Sequence, residues 1–126
     1  MRTNYREGHF SEKIARCFLW LKGYRCVAQN FITGKGTNAG EIDLIVKRNK
    51  TLVFVEVKKR QTAQKAMYAI TSKQQERLVK GALSFLKKHP EYQLYQKRFD
   101  VVMCVPNRLP KHIKNAWRGQ CGLAVL

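Results

Sequence analysis

Two short apolar runs, separated by a wholly polar linker, constrain this chain more than any other feature. They read Gly40-Glu41-Ile42-Asp43-Leu44-Ile45-Val46 and Leu52-Val53-Phe54-Val55-Glu56-Val57-Lys58. Both are rich in Val and Ile and too short for helices, which makes them strands. The linker Lys47-Arg48-Asn49-Lys50-Thr51 holds no apolar residue, so the pair reads as a hairpin. Asn tolerates a positive φ, as a two-residue turn requires. With Asn49-Lys50 as that turn, residues whose numbers sum to 99 face each other.

That register sets Asp43 directly opposite Glu56 on one face. Opposed residues in an antiparallel pair have Cβ atoms ~4.5–5.5 Å apart, and like charges there destabilise the sheet. A shared hard cation gives a reason for the arrangement, because two carboxylates at that separation can hold one ion. Lys58 points to the same face as Glu56, since side chains alternate along a strand. One surface then carries two carboxylates and an ammonium group. The bland account is a charged edge strand with a solvated Glu56–Lys58 pair. It weakens because the chain has only 8 acidic residues, and two of them interrupt its most strand-like segments.

The remaining elements follow from periodicity and breakers. Phe10, Ile14, Cys17, Phe18 and Leu21 have helical spacing and predict a helix over 9–22, helped by Ser11 at its start and stopped by Gly23. Residues 24–31 read as a first strand and 34–40 as a flexible loop. Residues 61–71 are ambiguous. Ser72-Lys73-Gln74-Gln75 makes a weak capping box. A helix then runs to about residue 88, with Leu78, Val79, Ala82, Phe85 and Leu86 as its apolar face. Lys73, Arg77, Lys80 and Lys87 fall on an opposite stripe. Residues 99–105 read as a buried strand ended by Pro106, and 113–118 as a short terminal helix. The order α-β-β-β-α-β predicts an α/β sandwich with a mixed sheet, a single domain over residues 1–126.

Lys plus Arg number 25 against 8 acids, a formal charge of +17. An excess of that size predicts a polyanionic partner, with nucleic acid first. No apolar stretch reaches the ~18 residues a spanning helix needs, and the start has no signal-peptide character. Both point to a cytoplasmic protein with no membrane partner. Cys17, Cys26, Cys104 and Cys121 match no zinc spacing, and three of them sit in apolar contexts as expected of small buried hydrophobes. His9, His89 and His112 show no paired-ligand spacing and read as satisfied or exposed histidines. Asp100 reads as an acid paired with one of the many cations. Glu41 reads as a strand-end charge or an outer acid near Asp43. Trp20 is expected in the core or an interface, and Tyr68 and Trp117 are the candidates for stacking on bases. Glu12, in the first helix, has two readings: a third metal ligand, or an acid favoured by the helix macrodipole.

These residue types suit phosphodiester hydrolysis. Mg²⁺ typically takes one or two carboxylates, with water and substrate phosphate completing its shell. It neutralises the phosphate and lowers the pKa of bound water. Lys58 is placed to orient the attacking water or to offset charge at phosphorus.

Asp43 and the Glu56-Val57-Lys58 triplet, with the upstream Glu12, resemble the PD-(D/E)XK nuclease superfamily. More closely, the chain is similar to the YraN-like family of uncharacterised bacterial proteins. The matching stretches are Glu12-x-x-Ala15 with Leu21 and Gly23, Asn30, Gly40 to Ile45, Phe54 to Lys58 with Arg60, Lys73, and Arg98 to Val102. They span roughly residues 8–118, leaving 119–126 as a tail. The resemblance implies a restriction-endonuclease-like α/β/α sandwich akin to archaeal Holliday-junction resolvases. It implies a metal-dependent endonuclease acting on DNA more readily than RNA, with branched or damaged DNA among its candidate substrates and Mg²⁺ or Mn²⁺ as cofactor. Asp43 and Glu56 would hold the metal, Glu12 would assist, and Lys58 would be the catalytic lysine. Arg60, Lys73, Arg77 and Lys80 would contact the nucleic acid. Resolvases act as symmetric dimers, which makes a homodimer an expectation of the resemblance, although the sequence shows no interface signature. The competing expectation is a basic module that binds nucleic acid without cutting, or an accessory subunit of a DNA-processing complex.

Overall fold

The computed structural model of the chain describes residues 2–34, 40–60 and 70–116, with side chains from residue 10 onward. Residues 35–39 of the predicted loop, most of the ambiguous 61–71 segment, and the side chain of His9 lie outside the described residues. So do Tyr68, Trp117, Cys121 and the tail.

Helix α1 spans Arg2–Leu21, β1 Arg25–Thr33, β2 Gly40–Arg48, β3 Thr51–Lys59, α2 Ser72–Lys88, β4 Gln96–Cys104 and β5 Lys111–Ile113, with a single 3₁₀ turn at Pro90–Tyr92. The five strands form one sheet in the order β1-β2-β3-β4-β5. The β3–β4 pair is parallel and the others antiparallel. The helix α2 makes the crossover that a parallel pair needs. The α-β-β-β-α-β order and the mixed sheet are therefore as expected. Of the predicted terminal helix, residues 113–116 are not helical and 117–118 lie outside the described residues, while Lys111–Ile113 adds a fifth strand against β4.

The hairpin has the expected register, from Arg48↔Thr51 to Leu44↔Val55. Asn49 turns the chain with φ 54°, a conformation costly for most L-residues.

Among the described residues each face of the sheet carries one helix. Leu44, Val46, Val53, Val55 and Val102 pack with Ala15, Leu19 and Tyr24 on the α1 side. Ile42, Ile45, Leu52, Phe54 and Phe99 pack with Leu78, Val79, Ala82 and Phe85 on the α2 side. Each fully buried large side chain stabilises the fold by roughly 1.5–3 kcal/mol.

Helix α1 differs from its expected form in two ways. It begins well before residue 9, because polar residues continue a helix that the apolar stripe alone cannot signal. Ser11 is thus no cap; it is 5% exposed, in line with Ala15 and Leu19. The helix is rotated from the stripe Phe10–Ile14–Cys17–Phe18–Leu21. Small side chains at 11 and 15 let α1 lie close on the sheet, which leaves Phe10, Cys17 and Leu21 exposed. Of the described cysteines only Cys104 is buried. The helix ends as expected at Gly23 (φ 94°). Gly23 N–H donates to Trp20 O (2.9 Å) and Tyr24 N–H to Leu19 O (2.9 Å), the Schellman pattern.

Helix α2 is capped one residue earlier than read, by Thr71. The Thr71 Oγ1 accepts from Gln74 N–H, and Gln74 Oε1 accepts from Thr71 N–H, both at 3.1 Å. A glycine contact seats this helix. A Cβ on Gly40 would lie 2.6 Å from Gly81 N and 2.9 Å from Gly81 Cα. Backbone cannot yield as a side-chain end can, so Gly40→Ala is expected to cost about 1–3 kcal/mol. The readout is a lower urea midpoint at unchanged m-value; wild-type stability would mean that α2 has room to shift.

Candidate functional site

The β2–β3 ladder ends at Leu44↔Val55, and Asp43 and Glu56 come next. There the backbone pairing gives way to a side chain: Asp43 Oδ2 accepts the Val57 N–H at 2.8 Å. The strand alternation also breaks at this point. Ile42 packs on the α2 side and Leu44, two residues on, on the α1 side. In β1, Asn30 sits between the pairs Gln29↔Leu44 and Phe31↔Ile42 with φ 50°. The acid pair thus occupies a kink built by two strands.

Asp43 and Glu56 are half-buried, and their carboxyl groups are within hydrogen-bonding reach of each other. Burial raises the Glu56 pKa to about 9, helped by the hydrogen bond and the charge of Asp43 and by Glu41, against the opposing charge of Lys58. At neutral pH the pair therefore holds a proton between two acids. Proton and divalent cation compete for the same oxygens, so this donor set fits a hard ion with waters completing its shell.

Phe54 faces α2, so Glu56 and Lys58 face it too. Above them lies a cleft of about 120 Å³ lined by Glu41, Glu56, Lys58, Gln74 and Arg77. Gln74 is held by the Thr71 capping box, and Arg77 follows one helical turn later. The contact between Gly40 and Gly81 sets how close α2 lies to β2, and with it how closely these two side chains overhang the acids. Sequence reasoning missed Gln74 as a cleft residue; its only signal was the capping pattern. Glu41 also lines the cleft and is exposed.

The other candidates lie elsewhere. Lys73 and Lys80 are exposed on α2. The Arg60 Nη1 donates to Lys59 O at 2.8 Å, and of the four basic candidates Arg77 alone lines the cleft. Glu12 is half-buried on α1 and is not among the cleft's lining residues. The rotation of α1 brings it to the margin of the packed face. Among the described residues no group of three or more His, Cys, Asp or Glu side chains is placed to hold a metal ion.

Asp100 is paired with a cation, as read. It is 1% exposed and receives Arg98 Nε and Nη2 at 2.8 Å each, and the Asn115 N–H at 2.9 Å. Its other partner is His112 Nε2 at 2.7 Å. Lys22 Nζ lies 2.7 Å from His112 Nδ1. A lysine ammonium only donates, so His112 accepts at Nδ1 and donates from Nε2 to Asp100. Arg98 Nη2 also donates to the Tyr24 hydroxyl at 2.8 Å. Burial pushes the Asp100 carboxyl up, but its hydrogen bonds and the Arg98 charge outweigh that and hold it below its ordinary value. This network ties α1 to β4 and β5. His112 is thus a satisfied histidine, as expected, within a structural set that the sequence did not foreshadow.

Among the described residues no helix is long and apolar enough to cross a membrane. Comparison with known proteins places the chain. The model of a family described as "Uncharacterised protein family UPF0102" matches residues 11–104. A UPF0102 protein of Parvibaculum lavamentivorans is 44% identical over 114 residues, covering 90% of this chain and 83% of that one. Its counterpart in Paramagnetospirillum magneticum is 42% identical over 113 residues, covering 90% and 88%. That of Nitrobacter winogradskyi is 40% identical over 113 residues, covering 90% and 92%.

Proposed function

The chain belongs to the YraN-like family UPF0102, and from that premise we propose that it is a divalent-metal-dependent endonuclease acting on DNA. The observation that carries this reading is Glu56, within hydrogen-bonding reach of Asp43, in a cleft with Lys58. The charge of +17 and the resemblance to the PD-(D/E)XK superfamily support it.

In this reading Asp43 and Glu56 hold Mg²⁺ or Mn²⁺, while Glu12, on α1 and outside the cleft, has no place at the metal. An ion held there would neutralise the phosphate, acidify water and stabilise the leaving oxygen. Lys58 holds the attacking water and offsets charge developing on the phosphate. Arg77 grips a phosphate oxygen from above, and Asp43 keeps the kink in place through the Val57 N–H. Arg60, Lys73 and Lys80 hold the flanking backbone, with binding that weakens steeply as salt rises. Branched or damaged DNA is the substrate class to try first.

Lys58→Ala is expected to slow cleavage about 10²–10³-fold while changing DNA affinity only a few-fold. The assay is cleavage of labelled duplex, junction and single-stranded DNA in Mg²⁺ or Mn²⁺. Wild-type protein that binds these substrates but cuts none of them overturns the reading. The charge of +17 would then serve a module that binds nucleic acid without cutting it.

A further inference from the structure

A basic groove opens on the other side of the sheet. It lies between α1 and β1, has a volume of about 560 Å³, and is lined by Lys13, Arg16, Trp20, Tyr24, Arg25 and Cys26, among others. Val46, which packs on the α1 side, forms part of its floor. Glu56 and Lys58 face α2, so this groove and the acid cleft are separate places.

Trp20 is the feature to be explained. It is 66% exposed, which rules out the core reading and leaves a surface that contacts something else. It stands in the last turn of α1, where the hydrogen bond from Gly23 N–H to its carbonyl fixes the backbone. Its ring is therefore presented from a rigid site. Among the described residues three cations line the same groove and no acid does. Burial raises the Cys26 thiol pKa, and the charge of Arg16, which also lines the groove, offsets part of that rise.

An exposed indole among cations is the composition of a stacking platform on a phosphate track. Cations at the rim select an anionic ligand, and a flat exposed ring selects one with a π-face. Bases in a duplex are already stacked, so the ligand is an unpaired one. The volume lies in the range of pockets that take a ligand of nucleotide size.

We propose that the α1–β1 groove binds an unpaired nucleotide of a single nucleic-acid strand. The base stacks on Trp20, and Lys13, Arg16 and Arg25 hold the adjoining phosphates. This goes beyond the proposed cleavage reaction and does not depend on it.

The test is fluorescence anisotropy with labelled oligo(dT) and oligo(rU). Trp20→Ala is expected to weaken binding about tenfold, and Trp20→Phe to keep most of it. The variant should fold, because the side chain is largely exposed; an unchanged circular dichroism spectrum and melting temperature check this. Arg16→Ala combined with Arg25→Ala should reduce the salt slope by about 1.4, the value for two phosphate contacts on a single strand. Loss with Trp20→Ala on either oligonucleotide supports the proposal, and the stronger of the two identifies DNA or RNA as the strand. This binding should persist in EDTA, where metal-dependent cleavage cannot occur, so failure here and failure of the nuclease reading are distinguishable. Unchanged affinity in folded Trp20→Ala overturns the proposal, as does an abasic strand that competes as well as oligo(dT). If sedimentation shows that Trp20→Ala abolishes self-association without altering affinity for either strand, the groove is a contact between copies and the proposal fails.

Discussion

Asp43→Ala is expected to abolish metal-dependent DNA cleavage while leaving DNA affinity equal or tighter. Removing a ligand that supplies several kcal/mol of charge stabilisation through the ion corresponds to a loss of about 10³-fold or more. Affinity moves the other way because a negative charge leaves a cleft that must receive phosphate. The side chain has a second task, since its Oδ2 accepts the Val57 N–H at 2.8 Å. Alanine leaves that donor without its acceptor, at a cost of about 1–3 kcal/mol if water cannot replace it. Asp43→Asn is the sharper variant: its amide oxygen can still accept from Val57, but its charge is gone. Cleavage should fall in both variants and stability chiefly in Asp43→Ala. If Asp43→Asn cuts as fast as the wild type, the acid is part of the kink and not of the chemistry.

The acid pair was legible because its cause is local. An Asn that accepts positive φ fixes a two-residue turn, and the turn fixes every facing pair up to Leu44↔Val55. Period-two alternation then carried Glu56 and Lys58 to one face. The sequence did not foretell that the ladder stops there, with Asp43 taking a backbone donor. That depends on the break between Ile42 and Leu44 and on the left-handed Asn30, a strand away. Helix α2 was legible because its apolar face is unambiguous. The face of α1 was misread because Ser11 and Ala15, which let it lie close on the sheet, are not conspicuous hydrophobes, whereas the exposed Phe10 and Leu21 are. Gln74 and Arg77 reach the cleft only because two glycines, 40 and 81, meet across a helix and a strand. Such a contact has no signature at either position. The Asp100–His112–Lys22 network joins residues far apart in the chain for the same reason.

Glu56 gives the second large effect, on pH. Its pKa rises from 4.5 in the unfolded chain to about 9 in the fold. Below 4.5 both states hold the proton and Glu56 has no effect on the pH dependence. Between 4.5 and 9 the unfolded chain releases a proton that the folded protein keeps. Metal-free stability therefore falls as pH rises through this window, with a slope approaching 1.4 kcal/mol per unit at most, to order of magnitude. Glu56→Gln should flatten this slope in urea titrations between pH 5 and 9. A divalent ion reverses the direction, because it binds the ionised pair and must expel the proton. Affinity for Mn²⁺ or Mg²⁺ should rise by up to about tenfold per pH unit until pH 9 is approached. Calorimetry at pH 7, in buffers of different ionisation enthalpy, should count close to one proton released per ion bound by the wild type. Glu56→Gln should bind the ion far more weakly. Ion binding with no proton release and no pH dependence would place the metal away from Glu56. A steep stability slope that persists in Glu56→Gln would mean that another buried group holds the proton. The two measurements separate the metal claim from the protonation claim, because the first requires an ion and the second is made without one.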